Sequence, residues 1–164
     1  MTLEQAGKLA EEYASRGLEK ELAGLRGEWD DELEAAARDR DYRVRSLAFR
    51  SLAQFRFRQK LELLRRGLDD ESPAVRGSAL IALESFSRDH PGDVNKFRPL
   101  LHEVAARDPN VAVRRLAIVC LKNGTPVQDT IRLLDGIADN DEDDAEVRRT
   151  AKSVATLLVK KSRR

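Results

Sequence analysis

One arrangement of apolar and polar positions returns four times along the 164-residue chain: "DRDYRVRSLAFRSL" at 39–52, "DDESPAVRGSALIAL" at 69–83, "DPNVAVRRLAIVCL" at 108–121 and "EDDAEVRRTAKSVA" at 142–155. With the Val of each copy as position zero (Val44, Val75, Val113, Val147), the copies lie 31, 38 and 34 residues apart, the spacing of helix-pair repeats. Position 4 is Ala48, Ala79, Ala117 and Ala151; position 7 is Ser51, Ala82, Cys120 and Val154. Position 8 is Leu52, Leu83, Leu121 and Ala155, and position 11 is Phe55, Phe86, Gly124 and Leu158. Offsets of 0, 4, 7, 8 and 11 fall on one face of an α-helix, so each copy predicts a helix with one buried stripe. Small residues at 4 and 7 admit a neighbouring helix closely, and the larger ones fill the space above and below.

Three residues before each Val stand Asp41, Ser72, Asn110 and Asp144, all side chains able to cap a helix amide. Pro73 follows Ser72 at the first helical position, where its missing N–H does no harm. A second periodic set lies between these helices. Phe57, Leu61, Leu64 and Leu68 predict one helix, Phe97, Leu101 and Val104 another, and Val127, Ile131, Leu134 and Ala138 a third. "WDDELEAAAR" at 29–38 serves the first copy. Each repeat is then a helix pair that cannot bury its stripe alone, with boundaries near 28–56, 57–88, 95–124 and 127–159. Residues 1–27 lack the pattern. Leu3, Ala6, Leu9 and Tyr13 predict a capping helix, and Leu18, Leu22 and Leu25 a second, with 17–38 readable as one helix or two. A basic tail, 160–164, ends a chain read as one structural domain.

The order Asp, Val-Arg, Ala, Leu, as in Asp70, Val75, Arg76, Ala79 and Leu83, resembles the HEAT-repeat family, in particular its short PBS-lyase HEAT-like repeats. The resemblance covers about residues 28–158, and the fourth copy departs from it with Glu142 at the Asp position and Ala155 at the Leu position. It implies an all-α fold, a right-handed α-solenoid of about four helix pairs with an N-terminal helical cap and the second helices on the concave side. In similar repeats the recurring Asp and Arg tie adjacent turns together. Carried over, that gives a structural ladder of Asp39, Asp70 and Asp108, with Glu142 in the fourth copy, and Arg45, Arg76, Arg114 and Arg148.

Composition agrees with an elongated, thin core: 36% of residues are charged and 41% hydrophobic, so surface is plentiful. The net charge of +1 singles out neither nucleic acid nor membrane, but its distribution is uneven. Residues 1–37 hold ten acids against four bases, and residues 38–66 hold ten bases against three acids. Cys120 is the sole cysteine, which excludes an internal disulfide or thiolate metal cluster and fits a reducing, cytoplasmic setting. No stretch approaches a membrane span and the N-terminus has no export pattern.

Candidate chemistry is sparse. His90 and His102 have no Ser, His and Asp grouping or metal spacing around them, and Cys120 occupies a core offset. "DNDEDDAE" at 139–146 resembles the start of a calcium loop, but Asp144 and Thr150 stand where Gly and Glu are needed. No catalytic residue, metal or cofactor is expected. Outward columns of the second helices are the expected binding surface for another protein or peptide: Arg50, Ile81 and Val119 at offset 6, Glu84 and Lys122 at 9, Arg115 and Arg149 at 2. A non-catalytic protein-interaction or scaffold module is therefore the first expectation. Phosphate-backbone binding by the basic segment 38–66, through Arg43, Arg50, Arg56 and Arg58, is the alternative, and an accessory subunit of a modifying enzyme such as a lyase is a third.

Overall fold

Nine α-helices and no strand make up residues 1–164, all of which the computed structural model describes. They are α1 (Leu3–Ser15), α2 (Glu19–Ala37), α3 (Tyr42–Gln54), α4 (Leu61–Leu68), α5 (Pro73–Ser87), α6 (Pro91–Arg107), α7 (Val111–Leu121), α8 (Gln128–Asp139) and α9 (Ala145–Ser162). Two compact units divide the chain, Met1–Ala82 and Leu83–Arg164, with α5 passing from one into the other. The architecture is of the α-solenoid class, built of helix pairs in which α3, α5, α7 and α9 carry the repeated motif.

The helix starts follow the capping chemistry. Asp41 accepts from the Arg43 amide at 2.9 Å, Asn110 from Val113 at 3.0 Å, and Asp144 from both Glu146 and Val147, at 2.9 and 3.0 Å. Each satisfies donors that the first helical turn leaves without partners. The predicted stripe is buried at every offset in all four copies, except that Val44 is half-buried. Cys120 packs as a small apolar side chain, and burial pushes its thiol pKa up.

In the first unit α1 packs on α2 and α3, α2 on α3, and α2 on α4. The contact face of α1 is made of small residues: Ala6, Gly7 and Ala10 are its buried positions. A Cβ at Gly7 would stand 2.0 Å from Gln54 Oε1, so this helix lies close against the end of α3. Residues 19–37 form one helix of 19 residues, not a short capping helix followed by another, and it runs unbroken through position 27. Leu22 and Leu25 continue into Trp29, Leu33 and Ala37 as one buried stripe.

Phe57 departs from its expected place at the start of a helix. α3 ends with Arg56 in the left-handed region at φ 51°, the Phe57 amide bonding back to the Leu52 carbonyl and the Arg56 amide to Ala53. The same double closure occurs at Gly17, φ 69°, after α1. Phe57 is therefore held in the turn, half-buried, and α4 begins four residues later. Lys60 reaches back from this turn to Asp30 and, at 2.8 Å, to Glu34 on α2, with its Nζ 5.0 Å from the Phe57 ring centre. Burial opposes the Lys60 charge, but the hydrogen bonds it donates to Asp30 and Glu34 outweigh that effect and raise the pKa.

In the second unit α6 pairs with α7 and α8 with α9, while α7 packs on α9 and α6 on α8, the like-on-like stacking of a repeat array. Lys161 caps the end of α7 by donating to the Lys122 carbonyl at 2.5 Å and to that of Gly124 at 3.3 Å. Asn95 and Thr125 exchange two bonds, at 2.9 and 3.0 Å, and His102 on α6 meets Thr130 on α8 at 2.8 Å.

Offset 5 of the motif is also buried in three copies, as Phe49, Leu80 and Ile118, which the expected stripe omits. Phe49 shows what the position does. A Cβ at Gly67 would come within 2.5 Å of its ring, so Phe49 packs against the backbone of α4, the first helix of the next pair.

Candidate interaction surface

Ladder contacts join one helix pair to the next inside each unit. Arg45 donates from Nε and Nη2 to the two carboxylate oxygens of Asp70, at 2.9 and 3.0 Å. Its Nη1 holds the Asp39 and Arg40 carbonyls, so one guanidinium fastens its own loop and the following one. Arg114 grips Asp143 with two bonds of 2.7 Å, while its Nε donates to the Ala105 carbonyl at 2.8 Å. All four side chains are between 11 and 13% exposed, so these pairs are screened far less than surface ones. The Arg114 hydrogen bond holds the Asp143 carboxyl below the usual range against the opposing effect of burial.

The acid paired with Arg114 is Asp143, where the repeat offset predicts Glu142. Asp70 does two jobs, accepting from the Ser72 amide at 2.9 Å as well as from Arg45. In the longer loop before α9 those jobs are divided: Asn140 accepts from the Glu142 amide at 3.1 Å and Asp143 takes Arg114. Asp39 and Asp108 make the same two-residue turn, to the amides of Asp41 and Asn110. Arg76 binds the Asp70 and Glu71 carbonyls at 2.9 and 3.2 Å. Arg148 binds the Ala138 carbonyl at 3.2 Å and Asp141 of its own loop at 3.0 Å.

Polar contacts between neighbouring second helices lie beside the residues of the expected columns. In the first unit Ser46 and Ser78 touch at 2.6 Å between α3 and α5. One turn further along those helices stand Arg50 and Ile81, both exposed, Ile81 by 49%. In the second unit Arg115 reaches Thr150 across α7 and α9 at 3.5 Å, and one turn on lies Val119, half-buried. Arg115 and Arg149 are exposed, Arg149 being paired with Glu146. Glu84 and Lys122 do come together, 3.7 Å apart, within a network in which Arg88 binds Glu84 through three contacts of 2.6 to 3.1 Å and Asn123 bridges to Ser87 at 3.0 Å. The Arg88 hydrogen bond lowers the Glu84 pKa, with burial opposing it.

Those paired helices, with an Arg and an Asp joining successive turns, match the HEAT-repeat family model over residues 31–103. This stretch consists of HEAT repeats. No curated protein and no solved structure matches the chain.

The basic segment overlaps the matched HEAT repeats and divides between core and surface. Phe49 and Phe55 are fully buried and Phe57 half-buried under Lys60, so Tyr42, 50% exposed, is the one ring of the segment open for base stacking. Arg50 and Arg56 are exposed; Arg43 is paired with Asp41 at 3.2 Å, and Arg58 is half-buried. His102 is lowered in pKa by burial and by Arg98, with Asp129 opposing, and it faces Thr130. In the acidic loop Asp143 is committed to Arg114, Asp144 to helix amides and Asp141 to Arg148. No helix is long and apolar enough to cross a membrane.

Proposed function

We propose that the chain is a non-catalytic protein-binding module, taking a protein or peptide partner on the outward residues of its second helices. The reading is supported most by Ile81, a large apolar residue 49% exposed on a helix where Val75, Leu80, Leu83 and Phe86 are buried. Arg50 stands beside it in the first unit; Arg115, Val119, Lys122 and Arg149, with Glu84, are the corresponding residues of the second. An apolar anchor ringed by charge is the usual composition of an interface centre. HEAT repeats in general mediate protein–protein interaction or scaffolding, which agrees with it. The single buried cysteine fits a cytoplasmic location.

Changing Ile81 and Val119 together to Asp tests the reading, with affinity capture and mass spectrometry comparing the variant with the wild type. The expected result is loss of the captured partner with the unfolding temperature nearly unchanged, because outward positions contribute little to folding. Unaltered capture by the folded variant, or its collapse, would remove the site. Reversing Arg43, Arg50, Arg56 and Arg58 to Glu should slow association only moderately. Loss of a salt-sensitive DNA or RNA ligand in that variant would favour nucleic-acid binding instead.

A further inference from the structure

A cleft of about 470 Å³ opens beside α9, lined by Ala138, Asp139, Asp141, Arg148, Arg149 and Lys152. Its three cations occupy offsets 1, 2 and 5 of the repeated motif. In the first copy all three offsets, and in the third copy offsets 1 and 2, face the next helix pair of the same unit. Offset 1 is the ladder arginine, where Arg45 and Arg114 each grip an Asp of the following turn. Ser46 at offset 2 touches Ser78 of the following second helix, and Phe49 at offset 5 packs on Gly67 of the following first helix. In the fourth copy the same face of α9 is exposed, and the buried apolar residue at offset 5 is replaced by the exposed Lys152.

Arg148 is bound as Arg114 is on one side and differently on the other. Both Nε atoms donate to a carbonyl at the end of the preceding helix, Ala105 for Arg114 and Ala138 for Arg148. Arg114 then holds a 12% exposed carboxylate from the next pair, whereas Arg148 holds Asp141 of its own loop, a side chain 93% exposed. An ion pair that open to water contributes little and is readily exchanged.

We infer that this cleft is a docking site for an acidic turn of a partner protein, an Asp-bearing segment whose carboxylate displaces Asp141 and takes the two-pronged bond to Arg148. Resting on the protein-binding reading above, it names the chemistry of one contact. The geometry required of the ligand is that of Asp70 and Asp143, each already presented by a turn to an arginine of this same kind. Arg149 and Lys152 favour an acidic segment, and Asp139 at the rim disfavours a highly charged polyanion.

The probe is a blocked peptide copying residues 68–76 of the chain, Leu-Asp-Asp-Glu-Ser-Pro-Ala-Val-Arg, titrated into the full chain while the Arg148 Nε–Hε resonance is followed by NMR. A second peptide carries Asn in place of the residue corresponding to Asp70. The Asp peptide should shift Arg148, with the Asn peptide at least about ten-fold weaker, as for a lost charge-assisted bond. Arg148→Gln should abolish the shift's counterpart on neighbouring amides and weaken binding by at least about ten-fold. Lys152→Glu, which leaves the ladder arginine untouched, should weaken it about three-fold, and Asp141→Asn should tighten it about two- to five-fold by removing the competitor. Equal binding of the two peptides, or indifference to Arg148→Gln and Lys152→Glu in folded variants, overturns the proposal. So does inorganic phosphate or single-stranded DNA binding the cleft as well as the peptide, which would make it a general anion site. Concentration-dependent self-association abolished by Arg148→Gln would make a second copy the occupant and overturn the partner assignment. Failure here with Ile81- and Val119-dependent capture intact would leave the protein-binding reading standing.

Discussion

The first unit joins Arg45 to Asp70, and the second joins Arg114 to Asp143, with nearly the same geometry and burial. They reach it from different sequence positions: Asp70 lies five residues before its motif Val, and Asp143 four. The first loop uses one carboxylate for the turn and the ion pair; the second assigns the turn to Asn140 and the pair to Asp143. What is preserved between the units is the place where a carboxylate meets the guanidinium, and the loop length decides which residue stands there.

The comparison breaks most sharply at the second site. Asp143→Ala should cost about 2–3 kcal/mol, because it leaves the half-buried Arg114 charge without its partner. The neighbouring Glu142→Ala, at an exposed position, should stay within about 0.5 kcal/mol. Chemical denaturation of the two variants separates them. Equal effects would mean that the repeat offset, rather than the loop geometry, identifies the ladder acid.

Much of the architecture was legible because helical periodicity and small-residue spacing are local properties of the sequence. The offsets of 0, 4, 7, 8 and 11 locate a buried face on each second helix without knowledge of what covers it. Offset 5 was harder: Phe49 is buried because Gly67 of another helix lets its ring in, a fact that belongs to the pair and not to either segment. Phe57 continues the apolar spacing of Leu61, Leu64 and Leu68, yet the left-handed Arg56 and the turn after it keep Phe57 off that helix. At the surface, Glu84 and Lys122 share offset 9 and lie 3.7 Å apart, but the sequence carries no sign that Arg88 and Asn123 also engage Glu84. The cleft at Arg148 is hidden in the sequence for a related reason. Its only sequence signal is a lysine at an offset otherwise apolar, and offset 5 lies outside the stripe of 0, 4, 7, 8 and 11.

A second difference between the units lies at offset 7. Ser51 of α3 is completely buried and its hydroxyl has no hydrogen-bond partner, whereas the same offset carries Cys120 in α7, a side chain that tolerates an apolar site. Ala82 occupies the position in α5. Ser51→Ala should therefore stabilise the chain by about 1 kcal/mol, by removing a desolvated polar atom at little cost in volume. A rise of about 2–4 °C in unfolding temperature is the expected reading. A fall would show that the hydroxyl is satisfied in solution, by water or by a helix carbonyl.

The smallest expected difference is in response to acid, and only the second unit contains histidines. Burial lowers the His102 pKa below its ordinary 6.5, Arg98 adds to the effect and Asp129 opposes it. The unfolded chain then takes up the His102 proton first. The stability associated with neutral His102 is complete above about pH 6.5 and is lost as pH falls from there through the folded-state value. The carboxylates Glu34, Glu84 and Asp143 are lowered as well, from ordinary values of 4.5, 4.5 and 3.8. Their contribution is present above those values and is lost only as pH falls below them. Between about pH 6.5 and 4.5, therefore, α6 and α8 should lose hydrogen-exchange protection relative to α2 and α3, once intrinsic exchange rates are corrected for. His102→Gln should flatten that difference, because Gln keeps a polar end toward Thr130 and cannot titrate. If protection in α6 and α8 declines equally in the variant, the acid response belongs to another group and the His102–Thr130 contact plays no part in it.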